Sequence, residues 1–130
     1  MIKQIALSIA SFFAGVLITT AANMGIVMLL FYPVQRFSLI LSASIVFALG
    51  AMEGILGGSI TAAIPSKPSY GHLYAVLIYT AGMVIFSIAM NASLEPLWYK
   101  LVHLAVMAPL FIVGGRWTMR KRQSRTKSAM

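Results

Sequence analysis

The chain contains no cysteine. Disulfides, thiolate nucleophiles and cysteine-held metals are therefore excluded. Acid is nearly absent: two glutamates, Glu53 and Glu95, are the only acidic residues. Paired-carboxylate chemistry has no second acid to use at the depth of Glu53. Charge of either sign is scarce, at 9% of residues, while 60% are hydrophobic. Soluble domains run near about 25% charged and about 45–50% apolar. A soluble fold of 130 residues has no core large enough for this much apolar side chain. Lipid is the natural solvent, and the length fits one compact membrane domain.

What is present is four long apolar stretches, at about residues 5–32, 37–64, 72–90 and 97–113. Each reaches the roughly 20 residues that cross a bilayer or comes close to it. The first is no cleaved secretory signal, because its apolar run continues far beyond the about 7–15 residues of a signal core. Breakers separate the stretches: Pro33 to Arg36, then Pro65 to Gly71 with two prolines and a glycine, then Asn91 to Pro96. Pro109 falls inside the fourth stretch, where it is expected to kink the helix and free the carbonyl of Ala105. Gly114 and Gly115 close that stretch. The expectation is an all-α, four-transmembrane-helix antiparallel bundle over residues 1–115, followed by a polar, partly disordered tail over 116–130.

Six of the ten Lys and Arg residues lie at or after Arg116, and the net charge is +8. Lys and Arg mark the cytoplasmic end of a span. Four spans put both termini on that side. Lys3 and Lys67 then face the cytoplasm, and Arg36, Glu95 and Lys100 face outward. Tyr32, Phe37, Trp98 and Tyr99 gather at the outer interface, with Tyr70, Tyr74 and Trp117 at the inner one. The basic tail also suits anionic lipid. Nucleic-acid binding is a poor reading, because the tail lacks interleaved aromatics and an attached soluble fold.

Glu53 lies at membrane depth, where an ionisable residue is a functional-site hypothesis by default. Counting from Ile64, it sits roughly 16 Å from the cytoplasmic end of its helix. Tyr79, Thr80 and Thr19 fall near that level and are candidate hydroxyl partners, and no basic residue is expected there. A neutral, hydrogen-bonded glutamic acid is the bland reading. Proton or cation binding, with Glu53, Tyr79, Thr80 and Thr19 as the site, is the functional one. Gly50, Gly54, Gly57 and Gly58 share one face of the second helix. Gly15 and Gly25 belong to a small-residue stripe on the first. Close packing of these two stripes is expected, with contact to another subunit as the alternative.

His72 and His103 lie about 20 Å apart in depth, too far to share a metal. His103 is expected to pair with Asn23. No metal cluster, cofactor motif or Ser–His–acid set is legible, and the glycine pairs are not phosphate loops. No enzyme activity is expected.

The order Gly57-Gly58, Ala62-Ala63-Ile64-Pro65, Pro68, His72, Pro96-x-Trp98-Tyr99, Ala108-Pro109, Gly114-Gly115 resembles a group of small four-span bacterial inner-membrane proteins. The resemblance implies a four-helix membrane fold and a multi-pass location in the bacterial inner membrane. It implies no activity and no functional residues. The leading functional expectation is a self-associating protein or an accessory subunit of a larger membrane complex, acting through helix packing. The alternative is an oligomeric proton- or cation-coupled transporter or channel subunit that uses Glu53.

Overall fold

Without water to bond them, backbone N–H and C=O groups in lipid must bond each other, and an apolar run therefore becomes a helix. The computed structural model describes residues 1–31, 38–90 and 96–129. Its helices are α1 (Ile2–Phe31), α2 (Leu39–Ala63), α3 (Tyr70–Met90) and α4 (Leu97–Ala129). All four are long and apolar enough to cross a membrane, and the chain is a multi-pass, all-α membrane protein. Large apolar side chains such as Phe13, Leu17, Ile40, Phe47, Ile78 and Ile85 stand on the outside, as lipid contact requires. The expected turns at 33–36 and 91–95, with Tyr32, Arg36, Phe37 and Glu95, lie outside the described residues.

The ends of the helices are built locally. The Ser38 hydroxyl accepts the N–H of Leu41 at the start of α2, which satisfies one of the four free donors there. His72 does the reverse at α3. Its Nδ1 accepts the N–H of Ser69 at 3.1 Å, as the third residue of a capping box does. The His72 Nε2 meets the Ser8 hydroxyl at 3.0 Å, tying α1 to the start of α3.

Neighbours in sequence run antiparallel, so α2 and α4 run in the same direction. These two make the tightest contact in the bundle. A Cβ on Gly54 would stand 2.6 Å from the carbonyl oxygen of Met107. A Cβ on Gly58 would overlap the carbonyl of Phe111, and one on Gly114 the carbonyl of Ile55. Only glycine lets the backbones come this close. The glycine face of α2 thus meets α4 first, whereas the sequence predicts α1. The sequence pattern shows a small-residue face but not what covers it. On α4 the buried residues Tyr99, His103, Met107 and Phe111 recur every fourth position, which is one helical face.

α1 packs at the side of this pair. Gly15 is buried against Thr61 and Val76, and the Ser11 hydroxyl donates to the carbonyl of Thr61 at 2.5 Å. Gly25 is exposed with nothing within 4 Å of a Cβ, so it takes no part in packing. On α3 the buried residues are Leu73 and Val76, both in its first two turns.

The tail, expected to be partly disordered, is helical: α4 continues through Arg116 to Ala129. Two contacts account for its first turns. Met119 is buried against Ala62 and Leu73 in the core. The Arg122 guanidinium donates to the carbonyls of Ala62 at 3.0 Å, Pro65 at 2.6 Å and Ser66 at 3.5 Å. Arg122 thereby closes the C-terminal end of α2, whose last carbonyls have no partner within the helix. Pro109 sits on an exposed face within the unbroken α4.

Gly58→Ala is expected to cost about 1–3 kcal/mol through overpacking, seen as a lower unfolding temperature in detergent. Gly25→Ala is expected to be neutral or to gain up to about 1 kcal/mol of helix propensity. Equal responses from the two variants would contradict the seam. Arg122→Ala is expected to speed amide hydrogen exchange at the C-terminal turn of α2 and leave the N-terminal turn unchanged.

Candidate functional site

The parallel register of α2 and α4 sets Gly50 beside His103, where an added Cβ would stand 3.5 Å from the ring. One turn further along α2, Glu53 meets the same imidazole: Oε2 lies 2.6 Å from His103 Nε2. Both side chains are almost fully enclosed, at 1% exposure for Glu53 and 6% for His103. This corrects two expectations. Glu53 has a basic partner at its own level, and His103 bonds Glu53 instead of Asn23. Asn23 is taken by the residue one turn earlier on α4, where the Tyr99 hydroxyl donates to its Oδ1 at 2.5 Å. Tyr99 is therefore buried inside the bundle. Its ring stacks on His103 at 5.5 Å with 15° between planes, which fixes the imidazole plane.

A signal for the pair existed in the sequence. Glu53 lies roughly 16 Å from the inner end of its helix, and His103, seven residues after Pro96, lies roughly 10 Å from the outer surface. Across a hydrocarbon core of about 30 Å, those depths differ by about 4 Å, less than one helical turn. Measured from a single face, the two side chains fall in reach of each other. Depth alone, however, does not say that α2 and α4 touch.

The other carboxylate oxygen, Oε1, is buried and has no hydrogen-bond partner. Glu53 lines a cavity of about 280 Å³ bounded by all four helices. Thr19, Asn23, Tyr79, Thr80 and His103 line it too, so the predicted site residues do converge. Their hydroxyls are not the predicted partners of Glu53. Thr19 gives its proton to the carbonyls of Gly15 and Val16, at 3.0 and 3.1 Å. Thr80 gives its proton to Val76, at 2.9 Å. Each then offers the cavity lone pairs only. Tyr79 packs edge-on against Phe12 at 5.7 Å.

Lys100 is the residue that sequence reasoning left out of the site. Expected at the outer surface, it lies half-buried on the cavity wall. Its Nζ donates to Ser87 at 3.0 Å. An ammonium has three donors, so this bond leaves capacity for a ligand. Tyr99, Lys100 and His103 thus tie α4 to α1, α3 and α2 in turn. The spacing 99, 100, 103 is an i, i+1, i+4 set, which places all three toward one side of a helix.

Among the described residues no three His or acidic side chains gather as metal ligands. His72 lies at the other end of α3, in a separate hollow with Ser8 and Ser69. Since Nδ1 accepts from backbone, neutral His72 carries its proton on Nε2 and donates it to Ser8. That tautomer cannot act as a base toward Ser8.

The chain matches no known family model, no curated protein and no solved structure.

Removing one partner of a buried pair strands the other. His103→Leu and Glu53→Leu are each expected to destabilise the fold by about 3–5 kcal/mol. The double variant should be more stable than either single one. Additive losses in unfolding experiments would show that the two side chains are not coupled.

Proposed function

We propose that the protein is a carrier, or a carrier subunit, that takes a small polar solute into the bundle cavity and exchanges it against a proton on the Glu53–His103 pair. One observation carries this reading: Glu53, a residue of the cavity lining, is bonded to His103 through one carboxylate oxygen, while the other is buried without a partner. A buried acceptor without a donor costs about 1–3 kcal/mol. A proton or a donor from a solute relieves that cost. The two compete for the same oxygen pair, and competition of this kind links the movement of one to the other.

The Lys100 ammonium on the same wall opposes a metal cation, so the cation version of the sequence expectation gives way to the proton version. The competing expectation, an accessory subunit acting by helix packing, drew on the glycine face of α2. That face is covered within the chain by α4. Self-association still belongs to the proposal for another reason. Thr20, Tyr79 and Met83 line the cavity and are exposed on the α1 and α3 side, where a second copy would complete the wall.

The proposed setting is the bacterial inner membrane with both termini cytoplasmic. Arg116, Arg120, Lys121 and Arg125 on the α4 extension support this orientation, and they suit anionic lipid headgroups. The reading is non-enzymatic and needs no cofactor.

The test uses the full chain in liposomes loaded with a pH-sensitive dye. Small polar solutes of each charge type are added outside. At least one should change the internal pH at a rate well above protein-free liposomes, and Glu53→Gln should abolish the difference. If no solute separates wild type from Glu53→Gln, the carrier reading is wrong.

A further inference from the structure

The cavity lining carries two ionisable side chains of opposite sign on different helices. Glu53 on α2 has its Oε1 unpartnered. Lys100 on α4 is anchored to Ser87 through one donor. A carboxylate on Glu53 and an ammonium on Lys100 give this wall one group of each sign. From this arrangement we infer that the solute is a small zwitterion. Its primary or secondary ammonium is held by Glu53 Oε1 and its acid group by Lys100 Nζ. The inference rests on the solute-binding half of the proposed function.

Charge pairing at membrane depth selects the class. An isolated charge in the bilayer is costly and persists only when paired. A simple amine would satisfy Oε1 but add a second cation beside Lys100. A simple acid would satisfy Lys100 but add a second anion beside Glu53 and leave Oε1 without a donor. A zwitterion satisfies both ends and brings no net charge into the membrane. A quaternary ammonium has no N–H to give Oε1 and fails at that end. Size sets a second limit. At about 280 Å³ the cavity lies at the bottom of the usual range for small-molecule sites, about 300–1,000 Å³. It suits a solute of a few carbons.

Proton exchange follows from the same contacts. A proton on Glu53 Oε1 takes the place of the solute's ammonium there, and the zwitterion then loses one of its two ion pairs.

The test is equilibrium binding to the full chain in lipid nanodiscs, with length-matched probe sets: glycine, acetate and methylamine, then 4-aminobutyrate, butyrate and butylamine. At least one zwitterion is expected to bind about tenfold tighter, roughly 1.4 kcal/mol, than both its matched acid and its matched amine. Glu53→Gln should erase the advantage over the acid, and Lys100→Gln the advantage over the amine. Folding of both variants is checked by chromatography and circular dichroism, and the wild-type probe series needs no variant at all. An amine or acid that binds as well as its zwitterion overturns the inference, as does an absence of binding by every probe. Zwitterion binding without proton movement in liposomes would support the ligand class and reject the carrier. Proton movement driven by amines alone would do the opposite.

Discussion

The bundle depends on the backbone contact between α2 and α4 at Gly54, Gly58 and Gly114. In lipid no hydrophobic force draws helices together, because the tails are as apolar as the side chains. Close packing and polar contacts must do it. Three glycines remove the side chains that would hold the two backbones apart. The resulting register then decides what sits opposite what along both helices. It sets Gly50 at the level of His103 and brings Glu53 to the imidazole one turn later.

α4 is the hub around which the polar part of the bundle is arranged. Its first two turns send Tyr99 to α1, Lys100 to α3 and His103 to α2. Its extension sends Arg122 to the end of α2. Polar links of this kind do two things in a membrane. They satisfy groups that lipid cannot, and they fix the rotation of each helix, which smooth apolar faces leave open. The cavity lies among these links. One carboxylate oxygen of the lining residue Glu53 is buried without a donor, an unmet bond of a kind rare in a sealed polar core, and the proposed function rests on it.

Four spans, their approximate limits and the glycine face of α2 were legible because each depends on residues close in sequence. Glu53 stood out because an acid among apolar residues is conspicuous. His103 was visible but was assigned to Asn23, since its depth was counted from the outer face and that of Glu53 from the inner one. Lys100 was assigned to the outer side because the topology puts the start of the fourth span there. Its bond to Ser87 depends on how α3 is rotated, which no local pattern encodes. The tail was read as partly disordered because it is a polar terminal segment. Its helicity rests on Met119 and Arg122 packing against α2 and α3, which are contacts across many residues.

The sequence by itself determined the solvent, the number of helices and the residues whose polarity is out of place in it. Those are properties of composition and helical period. Only the tertiary structure decided that α2 lies on α4, that Glu53 meets His103, and that Lys100 shares their cavity. The physical reason is that a helix displays its residues around a cylinder, and the neighbour each face meets depends on the closest backbone approach. Here that approach is set by glycines more than fifty positions apart.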